Sequence, residues 1–138
     1  MQDLIQTYRG TVYPWHCDHI GHMNVMWYVS KFDEATWNLF AEGGITPTSL
    51  RKNRRGMAGV QQNITYKREL YAGDVVVVRS GVLDCREKVL RFRHEMINLE
   101  TAEIAAITEL TVVHMDTTKR KACAFPAAIL ERLRRMVT

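Results

Sequence analysis

The sequence predicts an α+β fold in which an antiparallel sheet wraps around one long central helix. Apolar residues between 25 and 40 recur at intervals of three and four, which is the spacing of one helix face. After residue 57 the chain becomes a series of strand-like segments joined by short turns. Helices and strands that are separated along the chain in this way are typical of the α+β class.

The central helix is predicted to begin after Asn24 and to end at Gly43. Asn24 is a favourable N-cap residue, and Gly43 is followed by a second glycine, which is a stop signal. Met26, Trp27 and Trp37 spread apolar side chains around the helix. Because a helix that is apolar on most sides needs cover, we expect it to be buried.

Strands occupy most of the remaining chain. The predicted strands cover 4–13, 57–70, 75–83, 88–98 and 103–114. Short connections join the last four of them, at 71–74, 84–87 and 99–102. Such connections make consecutive strands antiparallel neighbours, so we expect a β-meander. The other segments are a polar loop at 14–23, a loop with a short helical turn at 45–56, and a final amphipathic helix that begins at Pro126.

The length limits where an active site can be built. A chain of 138 residues and 16.0 kDa corresponds to about one domain, which we predict to span residues 1–138. A domain of this size buries only about 65 to 70% of its unfolded surface, and the central helix fills much of the interior. We therefore expect a homodimer or homotetramer with the active site between subunits.

The net charge of +4 favours anionic ligands. Basic residues are concentrated at 51–55, 119–121 and 132–135, and we interpret them as solvated surface or as phosphate contacts. No recognition helix or aromatic-rich RNA-binding strand accompanies them, so nucleic acid is excluded as a partner.

Cysteine usage and hydropathy favour a cytoplasmic protein without membrane contact. The 3 cysteines form no C-x-x-C pair, which argues against a disulfide framework or a thiolate zinc site. The N-terminus lacks the pattern of a secretory signal. Aliphatic runs such as 75–78 are far shorter than the roughly 20 residues of a membrane-spanning helix.

The densest run of chemically capable residues lies at 16–24, where the polar loop enters the central helix. His16, His19 and His22 recur every three residues, but this spacing matches no established ligand signature, and we predict no metal site. Cys17 beside a histidine base is an alternative acyl-transfer nucleophile, although such a cysteine more often fills a small apolar space.

Asp18 is the strongest candidate for catalysis on physical grounds. It lies seven residues before Val25, the first residue of the predicted helix, and can approach the free N–H groups there. Such N–H groups are suited to stabilising an oxyanion. One loop and one helix end would then supply both the carboxylate and the oxyanion hole, although an aspartate before a helix is also a common cap or surface residue.

Two motifs resemble those of the 4-hydroxybenzoyl-CoA thioesterase family. The residues from Asp18 to Asn24, followed by Tyr28 and by Glu34 with the alanine after it, match the family signature D-x-x-G-H-x-N…Y…E-A. The segment 64–74, which ends in Gly-Asp before an aliphatic strand, is similar to the strand-turn-strand of that family. In element order the resemblance covers most of the chain, over residues 5–115.

The resemblance implies a hot-dog fold, which is the arrangement of sheet and helix predicted above. It also implies an enzyme that hydrolyses the thioester of a small or medium acyl-CoA to the free acid and CoA. No metal or organic cofactor is implied, because CoA is part of the substrate. A thiolate is a good leaving group and needs no strong general acid, so one carboxylate with oxyanion donors can suffice.

The resemblance also assigns residue roles. The family's catalytic carboxylate, which acts as a nucleophile or as a base that directs water, falls on Asp18, and its backbone oxyanion donor falls near Val25. Gly21 fits a tight turn that a side chain would obstruct. Asn24 or His22 would orient the loop.

Two acidic positions need separate comment. The family commonly carries an extra acidic residue two positions before the catalytic one, where this sequence has His16, so the polarity around Asp18 differs from the family pattern. Glu34 is a competing carboxylate, because other branches of the fold use a helix glutamate. It lies ten residues after Asn24, and we interpret it as a charge on the helix surface.

Further substrate contacts are expected from a strand and from aromatic residues. In the family the strand that carries Gln61 and Asn63 pairs across a dimer, so these residues either reach the partner's site or form a solvent face. The candidates for the CoA phosphates are Lys67, Arg68 and the 51–55 run. The aromatic residues Trp15, Trp27, Trp37 and Tyr28 either belong to the core or line the acyl pocket. An aromatic, a short or a quaternary ammonium acyl group is compatible with such a pocket.

Two other functions stay open at this stage. A non-catalytic acyl-CoA sensor on the same fold would bind the substrate without releasing a thiol. A hot-dog hydratase or dehydratase would need a catalytic aspartate and histidine on the helix and loop, for which His19 and His22 are available.

Overall fold

The computed structural model describes residues 3–138 and confirms the central helix, α1, at Val25–Glu42. The side chain of Asn24 accepts a hydrogen bond from the Met26 N–H at 2.9 Å, which is the predicted N-cap. The helix ends at Gly43, and Gly44 follows with a φ of 86°, a conformation that favours glycine.

The expectation that α1 is buried on most sides is wrong for this chain. Its inner face is buried, with Phe32 and Leu39 each 1% exposed. On its outer face Met26 is 59% exposed and Trp37 is 40% exposed. The physical reason is that one sheet covers only one side of the helix, so the outer apolar residues have no cover within the chain.

The strands form a single antiparallel sheet. They are β1 (Ile5–Thr11), β2 (Arg55–Tyr66), β3 (Val75–Cys85), β4 (Val89–Asn98), β5 (Ile104–Asp116) and a short β6 (Lys121–Ala122) that was not predicted. The order across the sheet is β1-β3-β4-β5-β2, and β6 pairs with the end of β5. The sheet and the packed helix confirm the hot-dog fold.

The meander is correct for β3, β4 and β5 but wrong for β2, which lies at the far edge of the sheet beside β5. Residues 67–74 carry the chain across the end of the sheet, with Leu70 fully buried there. The edge of β3 that was assigned to β2 is taken by β1, whose pairing extends to a hydrogen bond from the Val12 N–H to the Asp74 carbonyl at 2.8 Å.

The outer edge of β2 is open to solvent. Residues 59–63 are exposed in succession, so both faces of the strand are uncovered at this point, and Val60 is 60% exposed. A sheet edge with free backbone groups on an uncovered strand is a template for pairing with another chain.

The core contains one fully buried polar network. Thr36 of α1 bonds the Nε2 atom of His94 at 2.9 Å, and the Nδ1 atom of His94 lies 2.5 Å from Ser80 Oγ. Ser80 in turn bonds Thr7 of β1 at 2.7 Å. The network therefore joins the helix to three strands, and its polar groups are paired as burial requires.

Two short helices close the end of the sheet near Gly43. Helix α2 covers Pro47–Lys52, where a helical turn was predicted, and α3 covers Ala127–Arg135 directly after Pro126. Leu133 of α3 is 1% exposed and packs against Gly43. No helix within residues 3–138 has the length and apolar character to cross a membrane.

Candidate active site

The loop before α1 folds back on itself as a small closed turn. Cys17 and Met23 form an isolated antiparallel bridge, and the N–H of Asp18 donates to the His22 carbonyl at 3.2 Å. The N–H of Gly21 donates to the Asp18 carbonyl at 3.0 Å. Gly21 has a φ of 103°, so the tight turn predicted at this glycine is confirmed. The expectation that a side chain would be obstructed is wrong, because a Cβ atom at Gly21 would meet nothing within 4 Å; the backbone conformation favours glycine instead.

Neighbouring segments hold the loop in place. The N–H of Met23 donates to the Leu70 carbonyl at 2.7 Å, and the N–H of Asn24 donates to the His16 carbonyl at 2.9 Å. His22 Nε2 lies 3.1 Å from a carboxylate oxygen of Glu69. The loop is thereby tied to the connection between β2 and β3, a contact that sequence analysis did not foresee.

Asn24 links Asp18 to the N-terminus of α1. Its side-chain amide donates to Asp18 Oδ2 at 2.9 Å, while its Oδ1 accepts from the Met26 N–H at 2.9 Å. The other Asp18 oxygen accepts from the Ile20 N–H at 3.0 Å. The hydrogen bond from Asn24, followed by that from Ile20, lowers the pKa of Asp18 below its ordinary value, so the carboxylate is ionised at neutral pH.

The N–H of Val25 is the free donor of this helix end. Asn24 satisfies the next two N–H groups, through its side chain at Met26 and through its backbone carbonyl at Trp27. Within residues 3–138 no group accepts a hydrogen bond from the Val25 N–H. An unpaired N–H at the positive end of a helix dipole therefore lies next to the residue that holds Asp18.

Aromatic side chains surround the entry to the loop. His16 is buried and accepts the Tyr13 N–H on Nδ1 at 2.9 Å. Its ring lies 4.5 Å from that of Trp27, and Trp15 stacks on Tyr13 at 4.6 Å while remaining 67% exposed. Burial lowers the pKa of His16, and the positive charge of Lys31 lowers it further, so a neutral ring stands where the family commonly has a carboxylate.

Lys31 belongs to this region and was missed. It is 3% exposed, and its Nζ donates to Tyr8 Oη at 3.0 Å and to the Thr11 carbonyl at 3.4 Å. It lines an open cavity of about 430 Å³ together with Trp27, Glu34 and others. The available signal was a lysine placed within the apolar stripe of the helix, where a charge needs a partner.

Tyr28 is a buried connector between α1 and the end of β2. It is 3% exposed, its hydroxyl donates to the Arg68 carbonyl at 3.3 Å, and its ring meets that of Tyr66 edge-on at 5.1 Å. Burial raises the pKa of Tyr28 to about 12, so it stays protonated. Lys67 is exposed, and the Arg68 guanidinium pairs with Glu103 at 3.2 Å.

The structure does not bring every predicted residue to Asp18 within one chain. Gln61 and Asn63 lie exposed on the open stretch of β2. Gln61 is five residues before Tyr66, the β2 residue whose ring contacts Tyr28 of α1, and this separation is about 17 Å along a strand. Trp37 is 12 residues beyond Val25, which is about 18 Å along the helix.

The residues of the alternative chemistries, namely metal binding, cysteine catalysis and glutamate catalysis, do not come together as a site within residues 3–138. No three His, Cys, Asp or Glu side chains among residues 3–138 are placed to hold a metal ion. His19 is exposed, and Cys17 packs against the hydrophobic core while its thiol lies 3.9 Å from the Tyr13 carbonyl. Glu34 is exposed on the third turn of α1, away from the helix end.

Comparison with known proteins identifies the family. A family model described as the thioesterase-like superfamily matches residues 12–133, and the chain belongs to this superfamily. The predicted resemblance is thereby confirmed, and the protein is a thioester hydrolase.

Two curated relatives and one solved structure illustrate the match. The betainyl-CoA thioesterase of Pseudomonas aeruginosa is 23% identical over 133 residues, which are 96% of this chain and 84% of that protein. The L-carnitine dehydrogenase/betainyl-CoA thioesterase of Agrobacterium fabrum is 28% identical over 116 residues, 84% of this chain. The match covers 24% of that protein, so this chain spans about a quarter of its length. A Staphylococcus aureus protein in complex with CoA superposes with a TM-score of 0.88 at 18% identity, covering 100% of this chain and 89% of that chain, and it shows the fold.

Proposed function

We propose that this chain hydrolyses acyl-CoA thioesters with Asp18 as its catalytic carboxylate and the Val25 N–H as an oxyanion donor. One observation carries the proposal. Asn24 bonds the Asp18 carboxylate with one end of its amide and the helix N-terminus with the other, both at 2.9 Å. A single side chain thus fixes an ionised carboxylate beside a free N–H.

The chemistry follows from these two groups. Asp18 either attacks the thioester carbonyl carbon or takes a proton from a water molecule that attacks it. The carbonyl oxygen becomes negatively charged, and the Val25 N–H with the helix dipole stabilises that charge. The C–S bond then breaks and CoA leaves as a thiolate. If Asp18 attacked, the acyl group is left as a mixed anhydride on Asp18, which a water molecule hydrolyses to the free acid and the restored carboxylate; if Asp18 acted as the base, the free acid forms directly. In both cases the proton released from water passes to the CoA thiolate. Asn24 acts as a positioning residue, and Gly21 and His22 shape the loop.

We further propose that the substrate lies between two copies of the chain. The open stretch of β2 exposes Gln61 and Asn63 to a partner, and Val60 at 60% exposure gives that surface an apolar contact. Pairing of two such edges would carry the polar residues of one strand toward the Asp18 loop of the other chain. We assign the CoA phosphates to Lys67 and Arg68, which directly follow this strand; Lys67 is exposed, and Arg68 would exchange its contact with Glu103 for a phosphate.

The acyl group that we propose to test first is betainyl. Two relatives are named for betainyl-CoA hydrolysis. The exposed ring of Trp15 and the half-buried ring of Trp27 lie beside the Asp18 loop, and aromatic faces attract a quaternary ammonium group. Glu34 lines the cavity next to Trp27 and adds a negative charge. The ammonium group of Lys31, which lines the same cavity, is held by Tyr8 Oη and the Thr11 carbonyl.

The test is thiol release from a panel of acyl-CoAs by wild type and Asp18→Asn. We expect the variant to lose at least about a thousandfold in kcat, because removal of a catalytic base or nucleophile has effects of this order. CoA binding measured by calorimetry should be retained. Asp33→Asn, an exposed carboxylate on the same helix, is the matched control and should keep its activity.

Two results would contradict the assignment. Near wild-type turnover of Asp18→Asn with several acyl-CoAs would exclude Asp18 as the catalytic carboxylate, and loss of activity in Glu34→Gln instead would transfer the role to that residue. Acyl-CoA binding by the wild type without any thiol release would favour the sensor function.

A further inference from the structure

A second cavity lies at the opposite end of α1 from Asp18. The 18 residues of the helix place its two ends about 27 Å apart. The cavity has a volume of about 160 Å³ and lies between α2, α3 and the ends of β2 and β5. Its apolar walls include Ile45, Leu50, Phe125 and Ile129. It is separate from the proposed catalytic site and shares no lining residue with the Asp18 loop.

His114 gives this cavity a specific polar feature. The residue is 3% exposed, its Nδ1 lies 3.0 Å from the Cys123 carbonyl, and its ring stacks on Phe125 at 4.7 Å. The ring is therefore held in one orientation and lines the cavity. Within residues 3–138 no group forms a hydrogen bond with its Nε2 atom. Unlike the sealed and unpartnered Thr108 Oγ1, this nitrogen is accessible to solvent space, so a ligand in the cavity can reach it.

The hydrogen bond at Nδ1 decides which hydrogen-bonding group a ligand must offer to Nε2. A carbonyl can only accept, so Nδ1 of His114 carries the proton that is donated to Cys123. Burial lowers the pKa of His114, so the ring is neutral near pH 7. In this tautomer Nε2 presents a lone pair. A ligand in the cavity must therefore supply a hydrogen-bond donor.

The volume of the cavity and the charges at its rim restrict the class of ligand further. A cavity of about 150 Å³ lined by apolar side chains holds one benzene ring. The cavity found here has a similar volume of about 160 Å³, and Ser49 and Asn53 add polar groups to its apolar walls. Arg55 lines the cavity, and the guanidinium of Arg132 comes within 3.3 Å of the position a Cβ atom would have at Gly44. Arg55 is also paired with Asp116 at 3.4 Å, and the nearby Arg132 adds positive charge that disfavours a cationic ligand. The predicted basic runs at 51–55 and 132–135 thus meet at this cavity.

We propose that this cavity is a second small-molecule site, which binds a hydroxy-aromatic compound of phenol size. The ring packs on Phe125, Ile45 and Ile129, and the hydroxyl donates its proton to Nε2 of His114. The site is independent of the proposed catalysis, because none of its residues belongs to the Asp18 loop or to the exposed stretch 59–63 of β2.

The probe is phenol, titrated into the full chain and followed by the NMR signals of His114 and of the Ile45 and Ile129 methyl groups. We expect saturable shifts confined to the cavity. Toluene has the same shape without the hydroxyl and should bind about tenfold more weakly, the effect of one net hydrogen bond. Benzylammonium should not bind, because of the two arginines. Equal affinity for phenol and toluene, or tighter binding of benzylammonium, would overturn the proposal.

Two variants separate binding from folding. His114→Phe keeps the ring stack on Phe125 but removes the acceptor, and it should bind phenol no better than toluene. Ile129→Trp fills the cavity from its partly exposed rim and should abolish binding of both compounds, while thiol release from acyl-CoA stays at the wild-type rate. Circular dichroism verifies folding of each variant. Unchanged phenol binding in a folded Ile129→Trp variant, or absence of saturable binding to the wild type, would refute the site.

Discussion

Acidification should destabilise this protein through His94, the histidine at the centre of the core. The residue is 0% exposed, bonded to Thr36 and Ser80, and its ring stacks on Phe32 at 5.7 Å. Burial lowers the pKa of His94 from 6.5 to about 3. The unfolded chain therefore binds a proton more readily than the folded chain throughout this range of pH.

The sign and size of the effect follow from this difference. Because the unfolded state takes up the proton first, stability is complete above about pH 6.5 and falls as the pH is lowered toward 3. One pKa unit corresponds to about 1.36 kcal/mol, so the full loss from His94 is on the order of 5 kcal/mol. About half of it should be present near pH 4.5. This is a large part of the 5 to 15 kcal/mol that typically stabilises a domain.

The assay is chemical denaturation of wild type and His94→Gln between pH 7 and pH 4.5. Glutamine offers a donor and an acceptor but does not titrate. Other groups, including His16 and His114, contribute equally to both proteins, so their contributions cancel in the comparison. We expect the free energy of unfolding of the wild type to fall by about 2 to 3 kcal/mol more than that of the variant.

Two results would refute this reasoning. The first is an equal loss of stability in both proteins over this range of pH. The second comes from the wild type alone, so it holds even if the variant does not fold. A ring signal of His94 that titrates above pH 5 in the folded protein would show that burial does not depress its pKa as inferred.

Two further predictions concern the catalytic loop and the subunit contact. Asn24→Ala should cost about 1 kcal/mol through loss of the N-cap, and it should raise the Asp18 pKa, so that the acidic limb of the kcat/KM profile moves to higher pH. Asn24→Ser keeps a capping oxygen but cannot reach Asp18, so it should show the shifted profile with less loss of stability; an unshifted profile in both would exclude this positioning role. Val60→Asp on the open edge of β2 should halve the mass measured by light scattering and lower kcat/KM. An unchanged mass in Val60→Asp, or a wild type that is already monomeric, would contradict the shared site.

Local signals predicted the part of the molecule that carries the chemistry. The cap at Asn24, the stop at Gly43 and the turn at Gly21 were all placed correctly, because each depends on the backbone preferences and short side chains of a few adjacent residues. The motif around Asp18 led to the correct family for the same reason, since its residues act together within one loop.

Non-local partners were beyond the reach of such signals. Helical spacing indicates that Lys31 lies on the inner face, but it does not show that the Lys31 ammonium group donates hydrogen bonds to Tyr8 and Thr11. Nothing next to His22 in the sequence indicates its contact with Glu69, which comes from a segment more than forty residues away. These contacts form only when distant segments meet.

The sequence by itself determined the central helix, the loop that precedes it and the class of fold, because periodicity, capping and turn chemistry act over a few residues. Only the tertiary structure decided that β1 displaces β2 from the edge of β3, which leaves β2 open at the opposite edge. It also decided that the buried ring of His114 lines a cavity. Strand edges compete for partners across the whole chain, and the outcome depends on how the entire sheet closes around α1.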